Sequence, residues 1–209
     1  MDEKVCSHHK NKRKKFFQRC CATVLIIIFI NLLTILIVWA VLQPKKPRFT
    51  LQDATIFSLN VSAPNIISTT IQVTVFSRNP NSKIGIYYDR MYIYATYNNQ
   101  QITYFTAIPA VYQGHKDVNV WSPFVYGTNV PVAPYNGPGL TMALNNGVVT
   151  MVIKLEGRVK WKVGSFTTGR YHLHVSCPAN IPIGNSKSTG IIIGTAVKYQ
   201  LQQSCSVSV

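Results

Sequence analysis

Acidic residues are scarce in this sequence. Its 209 residues include six Asp and Glu against 21 Lys and Arg. After residue 48 the acids are Asp53, Asp89, Asp117 and Glu156. Carboxylate acid–base catalysis needs two groups that converge on one substrate, and no serine-elbow motif accompanies His115. The sequence therefore predicts a binding protein, not an enzyme, and predicts no cofactor.

Charge is absent from one stretch near the start, residues 21–42, which contain no Asp, Glu, Lys or Arg. A helix of this length measures about 33 Å and can cross a hydrocarbon core of about 30 Å. The alternative is a cleaved signal peptide, which has a shorter apolar part and small residues at its end. This stretch ends in Trp39-Ala40-Val41-Leu42. The sequence predicts a retained, single transmembrane helix.

Basic residues are unequally distributed around that helix. Seven Lys and Arg precede it, whereas Lys45, Lys46 and Arg48 follow within six residues. The positive-inside rule places the N-terminus in the cytoplasm. The predicted order is a basic cytoplasmic tail (1–20), a transmembrane helix (21–42), a stalk (43–48) and a non-cytoplasmic domain (49–209). We expect the tail to contact acidic lipid headgroups and no nucleic acid.

The outer domain is itself basic, with 14 Lys and Arg against four Asp and Glu after residue 42. A domain with this charge excess attracts anionic surfaces, and the attraction weakens as salt rises. The partners predicted from composition are therefore phospholipid headgroups or acidic polysaccharide outside the cell.

Cysteine is sparse as well, with five in the chain. Cys20 and Cys21 adjoin a basic cluster at the membrane boundary, a setting typical of reversible palmitoylation; the alternative is that they are small apolar residues entering the bilayer. Cys177 and Cys205 are the two cysteines after the helix. Thiols in an oxidising compartment usually pair, so the sequence predicts a disulfide between them, with two free buried thiols as the alternative.

Apolar and polar residues alternate with a period of two through most of the outer domain, which indicates half-buried strands. Asn98 and Asn99 mark a hairpin between two strands, and residues 139–147 fit a short helix or a loop. The predicted architecture is an antiparallel β-sandwich or barrel. The inward-facing sets are Phe57, Leu59, Val61; Ile71, Val73, Val75; the odd positions of 149–163; Tyr171, Leu173, Val175, Cys177; and Val197, Tyr199, Leu201, Cys205, Val207.

Two further patterns concern modification and metal binding. Asn60-Val61-Ser62 is the sole N-glycosylation sequon, and its parity, opposite to Leu59 and Val61, predicts that Asn60 faces solvent. His172 and His174 have the spacing of a two-histidine metal site, but zinc needs a further ligand. Because their parity is the solvent-facing one, we predict an exposed pair without metal.

Asn79-Pro80-Asn81 is typical of a tight turn between strands, with a recognition loop as the functional alternative. The nearby tyrosines suit either strand packing or a carbohydrate-stacking surface. These are Tyr87, Tyr88, Tyr92 and Tyr94.

Several stretches together resemble one family of plant membrane proteins. Asn79-Pro80-Asn81, followed by a run that ends in Tyr87-Tyr88-Asp89, is similar to the signature of the harpin-induced-like (non-race-specific disease resistance) family. The stretches 112–116, 119–123, 157–164 and 171–175, together with Cys177 and Cys205, also resemble that family.

The resemblance implies an all-β ectodomain of the late-embryogenesis-abundant group two type, a fibronectin III/immunoglobulin-like β-sandwich. It implies a plasma-membrane or plasmodesmal protein of pathogen and stress responses, and it supplies no catalytic residues. We expect such a protein to act by binding membrane lipid, cell-wall polysaccharide or membrane proteins. A lipid-binding or stress-protective module without a signalling role is the alternative function. A C-terminal lipid anchor is not predicted, because the short apolar run Gly190–Val197 is followed by Lys198.

Overall fold

The computed structural model describes residues 3–62, 65–183, 191–193 and 196–209, with side chains from residue 17 onward except 191–193. The predicted apolar run Gly190–Val197 lies partly outside these residues. The chain forms two compact units, Met1–Pro44 and Lys45–Val209. In the first unit a helix, α1, spans Glu3–Leu42. Its segment Phe17–Leu42 is strongly apolar with mostly exposed side chains, so it is long and apolar enough to cross a membrane.

The second unit consists of β-strands and one short helix, α2 (Asn136–Asn145), within the part of the chain that the structure describes. In chain order the strands are β1 (Arg48–Ser62), β2 (Ile66–Arg78), β3 (Ile84–Tyr97), β4 (Gln100–Gln101), β5 (Thr106–Ile108), β6 (Val111–Gln113), β7 (Val118–Trp121), β8 (Phe124–Pro131), β9 (Val148–Val163), β10 (Phe166–Thr167), β11 (Tyr171–Pro182), β12 (Ile191–Ile193), β13 (Ala196–Ser204) and β14 (Ser206–Ser208).

These strands form two antiparallel sheets that pack as a sandwich, which confirms the predicted all-β fold. Sheet A has the order β12-β13-β1-β2-β7, and β8 also pairs with β2. Sheet B has the order β14-β11-β9-β3-β4, with β5 and β6 also on β3 and β10 on β9. The buried core lies between them and includes the aromatic cluster of Phe49, Tyr88 and Trp121. The hairpin predicted at Asn98-Asn99 is present, and both residues have the positive φ that its turn requires.

Strand β9 runs unbroken through Gly157, the position where the sequence allowed either one kinked strand or two. Opposite it, β3 carries a bulge: Asp89 pairs with Arg158 and Tyr92 with Glu156, so two residues of β3 face one glycine. A Cβ on Gly157 would lie 2.8 Å from the Arg90 carbonyl oxygen. Glycine is therefore required here by the close approach of the two backbones.

Most of the side chains predicted to face the core do so, and two do not. Phe57 is 42% exposed and packs on the outer surface against Phe124, with ring centroids 5.4 Å apart. The register shift between Ile56 and Ser58 turns this side chain outward, so its predicted inward orientation is wrong. Tyr171, predicted inward, is 48% exposed at the first position of β11.

Cys177 and Cys205 form the predicted disulfide, which joins residues 28 positions apart. Cys177 lies fully buried on β11, and Cys205 stands between β13 of sheet A and β14 of sheet B. The bond therefore fixes the point where the C-terminal segment crosses from one sheet to the other. The Cys205 backbone N–H also donates to the Phe49 carbonyl at 3.0 Å.

Candidate functional site

The Asn79-Pro80-Asn81 motif forms a buried hydrogen-bonded turn between β2 and β3. Asn79 is fully buried, and its side-chain amide donates to the carbonyls of Ile84 at 2.7 Å and Gly114 at 2.8 Å. Its side-chain oxygen accepts from the backbone N–H of Asn81 at 3.0 Å. All the polar capacity of the side chain is used inside the domain, which supports the structural interpretation of the motif over a recognition loop.

Asn81 binds the segment that enters the domain. Its side-chain oxygen accepts from the Lys45 backbone N–H at 2.8 Å, and its amide donates to the Lys45 carbonyl at 2.7 Å. Pro47 is buried and β1 begins at Arg48. From Lys45 onward the chain thus belongs to the domain, so the predicted stalk over 43–48 is not a free linker.

A second buried polar group, Gln113, lies beside the turn and was not singled out from the sequence. Its amide donates to the carbonyls of Ser77 at 2.8 Å and Asp117 at 3.0 Å, and its oxygen accepts from the Tyr88 hydroxyl at 2.9 Å. Burial raises the pKa of Tyr88, so its hydroxyl stays protonated as a donor. These bonds hold β6 of sheet B against β2 of sheet A and against its neighbour β3.

The Tyr87-Tyr88-Asp89 run places alternate side chains on opposite faces of sheet B. Tyr88 belongs to the core, while Tyr87 and Asp89 face outward. The ring of Tyr112 on β6 lies against that of Tyr87, with centroids 4.4 Å apart. Lys162 of β9 covers both rings, with its ammonium nitrogen 5.8 Å from the Tyr87 centroid and 5.4 Å from the Tyr112 centroid.

We call this surface the tyrosine–lysine face and define it as Tyr87, Asp89, Tyr112, Lys160 and Lys162. All of these residues except Lys162 line a groove of about 630 Å³. Asp89 is 3.3 Å from Arg170 and 3.9 Å from Lys160, so it partly neutralises two of the three nearby cations. The face combines aromatic rings with a net positive charge.

Gly85 explains how the Tyr112 ring can approach β3 so closely. A Cβ at this position would lie 2.8 Å from Cζ of the Tyr112 ring. The missing side chain leaves the space that the ring fills. The aromatic part of the tyrosine–lysine face therefore depends on a glycine 27 residues away in sequence.

The outer surface of β9 extends this positive charge. Lys154 and Arg158 point to the same side as Lys160 and Lys162, since residues two apart on a strand share a face. Glu156, between them, accepts from the Tyr94 hydroxyl at 2.6 Å. Burial, followed by this neighbouring carboxylate, raises the pKa of Tyr94 to about 12, so the hydroxyl donates at neutral pH. Of the tyrosines predicted from the sequence, Tyr92 is exposed and Tyr94 is turned outward.

The remaining predicted site residues are not members of this face. Asn60 is exposed on β1, as its parity predicted. His172 and His174 are exposed and stacked, with ring centroids 6.3 Å apart, and no cluster of three metal ligands occurs among the described residues. Cys20 and Cys21 are exposed on α1 with free thiols. Their acylation and the glycosylation of Asn60 stay predictions.

Comparisons with known proteins agree with the sequence motifs. A family model described as "Late embryogenesis abundant protein" matches residues 74–177. The chain is 57% identical to "NDR1/HIN1-like protein 1" of Arabidopsis thaliana, over 99% of this chain and 100% of that protein. It is 57% identical to "NDR1/HIN1-like protein 12" over 87% of each chain, and 38% identical to "NDR1/HIN1-like protein 26" over 76% of this chain and 75% of that protein, both from the same plant.

Proposed function

Because the chain belongs to the NDR1/HIN1-like family of late embryogenesis abundant proteins, we propose that it acts by binding in plant defence and stress responses, as a single-pass protein of the plasma membrane or plasmodesmata. Helix α1 anchors it, and the β-sandwich lies outside the cytoplasm. The apolar segment Phe17–Leu42 and the excess of basic residues before it support this topology.

The topology predicts that a protease added to sealed protoplasts digests the β-sandwich and leaves the N-terminal tail intact. A tag at each end, followed by immunoblotting, reports which part is cut. An endoglycosidase should also reduce the apparent mass of the chain, and Asn60→Gln should abolish that shift. A β-sandwich cut only after the cells are permeabilised would contradict the proposed orientation.

The ligand class follows from the tyrosine–lysine face, and one observation carries the proposal: Lys162 stands over the paired rings of Tyr87 and Tyr112 on an exposed sheet. Aromatic faces pack against the C–H face of a sugar ring, and ammonium groups form charge-assisted hydrogen bonds with carboxylates. Together they fit a sugar that carries a carboxylate. We therefore propose an acidic wall polysaccharide built of hexuronate units as the ligand.

Binding should depend on charge at one place rather than on the basic domain as a whole. Oligogalacturonate titrated into the full chain in neutral detergent should bind more weakly to Lys162→Gln, by about tenfold, because one hydrogen bond between charged groups is lost. Calorimetry measures the affinity, and Arg78→Gln removes one exposed charge on sheet A as the matched control. Equal losses in both variants, or equal affinity for a neutral oligoglucoside, would count against the proposed ligand.

The aromatic contribution has its own pair of variants. Gly85→Ala should displace the Tyr112 ring and weaken binding severalfold, with little effect on stability because Tyr112 is 40% exposed and can rotate. Tyr112→Phe keeps the ring and should keep the affinity. If the two variants bound alike, stacking on this ring would not contribute.

A further inference from the structure

A second surface, at the start of the domain, contains cations that the polysaccharide proposal does not use. Arg48 and Arg78 are directly opposite each other on the neighbouring strands β1 and β2. Like charges in this position repel and destabilise a sheet pair. Both side chains are exposed, and together with Lys46 they line one cavity of about 800 Å³.

No acidic side chain of the described residues forms an ion pair with these three cations. Asp53 pairs with Lys198 at 3.1 Å, and Asp89 with Arg170 and Lys160. The remaining two acids of the domain form hydrogen bonds. Glu156 accepts from the Tyr94 hydroxyl, and Asp117 accepts from the backbone N–H groups of Gly114 and Val118. The arginine pair therefore stands without a counterion from this part of the chain.

The rest of the cavity is largely apolar. Phe76 and Val118 line it beside the arginines, and Val118 is 38% exposed. A free inorganic anion would leave these apolar surfaces in water. An amphiphile with a phosphate and a hydrocarbon part would cover both the charged and the apolar lining.

We propose that this arginine pocket, made of Lys46, Arg48, Phe76, Arg78 and Val118, binds the phosphate of an anionic phospholipid, with the start of its hydrocarbon part against Phe76 and Val118. Lys46 and Arg48 are among the first cations after the helix, where phosphate headgroups border a membrane span. The inference relies on the membrane anchoring proposed above, but it concerns a site distinct from the tyrosine–lysine face.

The test uses the full chain in neutral detergent and short-chain phosphatidylglycerol below its own micelle concentration. Affinity for this lipid, measured by native mass spectrometry, should fall by about tenfold or more in Arg48→Gln/Arg78→Gln, because two charge-assisted contacts are lost. Lys83→Gln/Arg90→Gln, which removes two exposed charges elsewhere in the domain, should retain the affinity. Equal losses in the two double variants would overturn the site.

Two further measurements ask whether the phosphate must belong to a lipid and whether the arginine pair has a structural role instead. Val118→Thr should weaken phosphatidylglycerol severalfold and leave inorganic phosphate unchanged; inorganic phosphate binding as tightly as the lipid would overturn the lipid assignment. Removal of the repelling arginine pair should leave the melting temperature unchanged or raise it. A clear fall in the melting temperature would show that the arginine pair stabilises the fold, and it would also overturn the proposal. Oligogalacturonate binding should be unaffected, so this inference and the polysaccharide proposal fail separately.

Discussion

Replacing Asn79 by alanine should destabilise the domain by about 3 kcal/mol or more. The substitution leaves the buried Ile84 carbonyl and the half-buried Gly114 carbonyl without this donor, and the Asn81 N–H without its acceptor. Each such buried group costs roughly 1–3 kcal/mol. For a domain of this size the melting temperature should fall by about 10 °C, which thermal unfolding followed by circular dichroism measures.

Two companion variants distinguish hydrogen bonding from packing. Asn79→Asp keeps the size of the side chain but places a carboxylate beside two carbonyl oxygens, so it should be at least as destabilising as alanine. Asn180→Ala alters an exposed asparagine on β11 and should change little. If Asn79→Ala melted within 2 °C or so of the wild type, the turn would not stabilise the domain as its contacts indicate.

Loss of the disulfide should have an effect of similar size. Cys177 and Cys205 close a loop of 28 residues, and in the chain-entropy model a loop of that length contributes roughly 3–4 kcal/mol. Cys177→Ala/Cys205→Ala should unfold at correspondingly lower urea concentration, and the wild type in strong reductant should approach the variant. Alanine is preferred to serine because Cys177 is fully buried and a hydroxyl there would lose its hydrogen bonds to water.

The two cysteines of the helix serve as the control for that experiment. Cys20→Ser/Cys21→Ser removes free thiols from α1 and should leave urea unfolding of the domain unchanged. Identical unfolding of the Cys177/Cys205 variant and the wild type would contradict a stabilising role for the bond between β11 and the crossover.

The local sequence pattern was sufficient to predict most strands and many of the buried core residues. The odd positions of β9 from Val149 to Leu155 are all buried, as a period of two requires. The pattern failed where a strand carries an extra residue. At Phe57 a register shift reverses the faces, so its side chain lies on the outer surface instead of in the core.

The candidate sites were only partly accessible from sequence because they depend on pairings between distant segments. The sequence marked Tyr87 and Tyr112 in separate family-like stretches but not their contact, which forms because β6 pairs with β3 and Gly85 leaves room. The arginine pocket likewise requires the β1–β2 register that sets Arg48 against Arg78. Net charge predicted an anionic partner, and the fold located the two surfaces that could receive one.

The charge distribution also explains why a domain with so few acids has defined positive surfaces. Asp53 and Asp89 each form ion pairs with cations of the domain, which leaves Lys162, Arg48 and Arg78 outside the ion pairs found in the described residues. Exposed cations without partners keep their full attraction for a ligand, although salt screens it. Both proposed ligands should therefore bind less tightly as ionic strength increases.

Chemical footprinting of lysines tests the central claim, that the tyrosine–lysine face binds an acidic polysaccharide. The full chain is acetylated with and without saturating oligogalacturonate, and mass spectrometry quantifies each lysine. Lys160 and Lys162 should be protected severalfold while Lys198 of sheet A reacts as before. Unchanged reactivity of Lys160 and Lys162, or protection of Lys198 alone, would contradict the assignment of the ligand to this face.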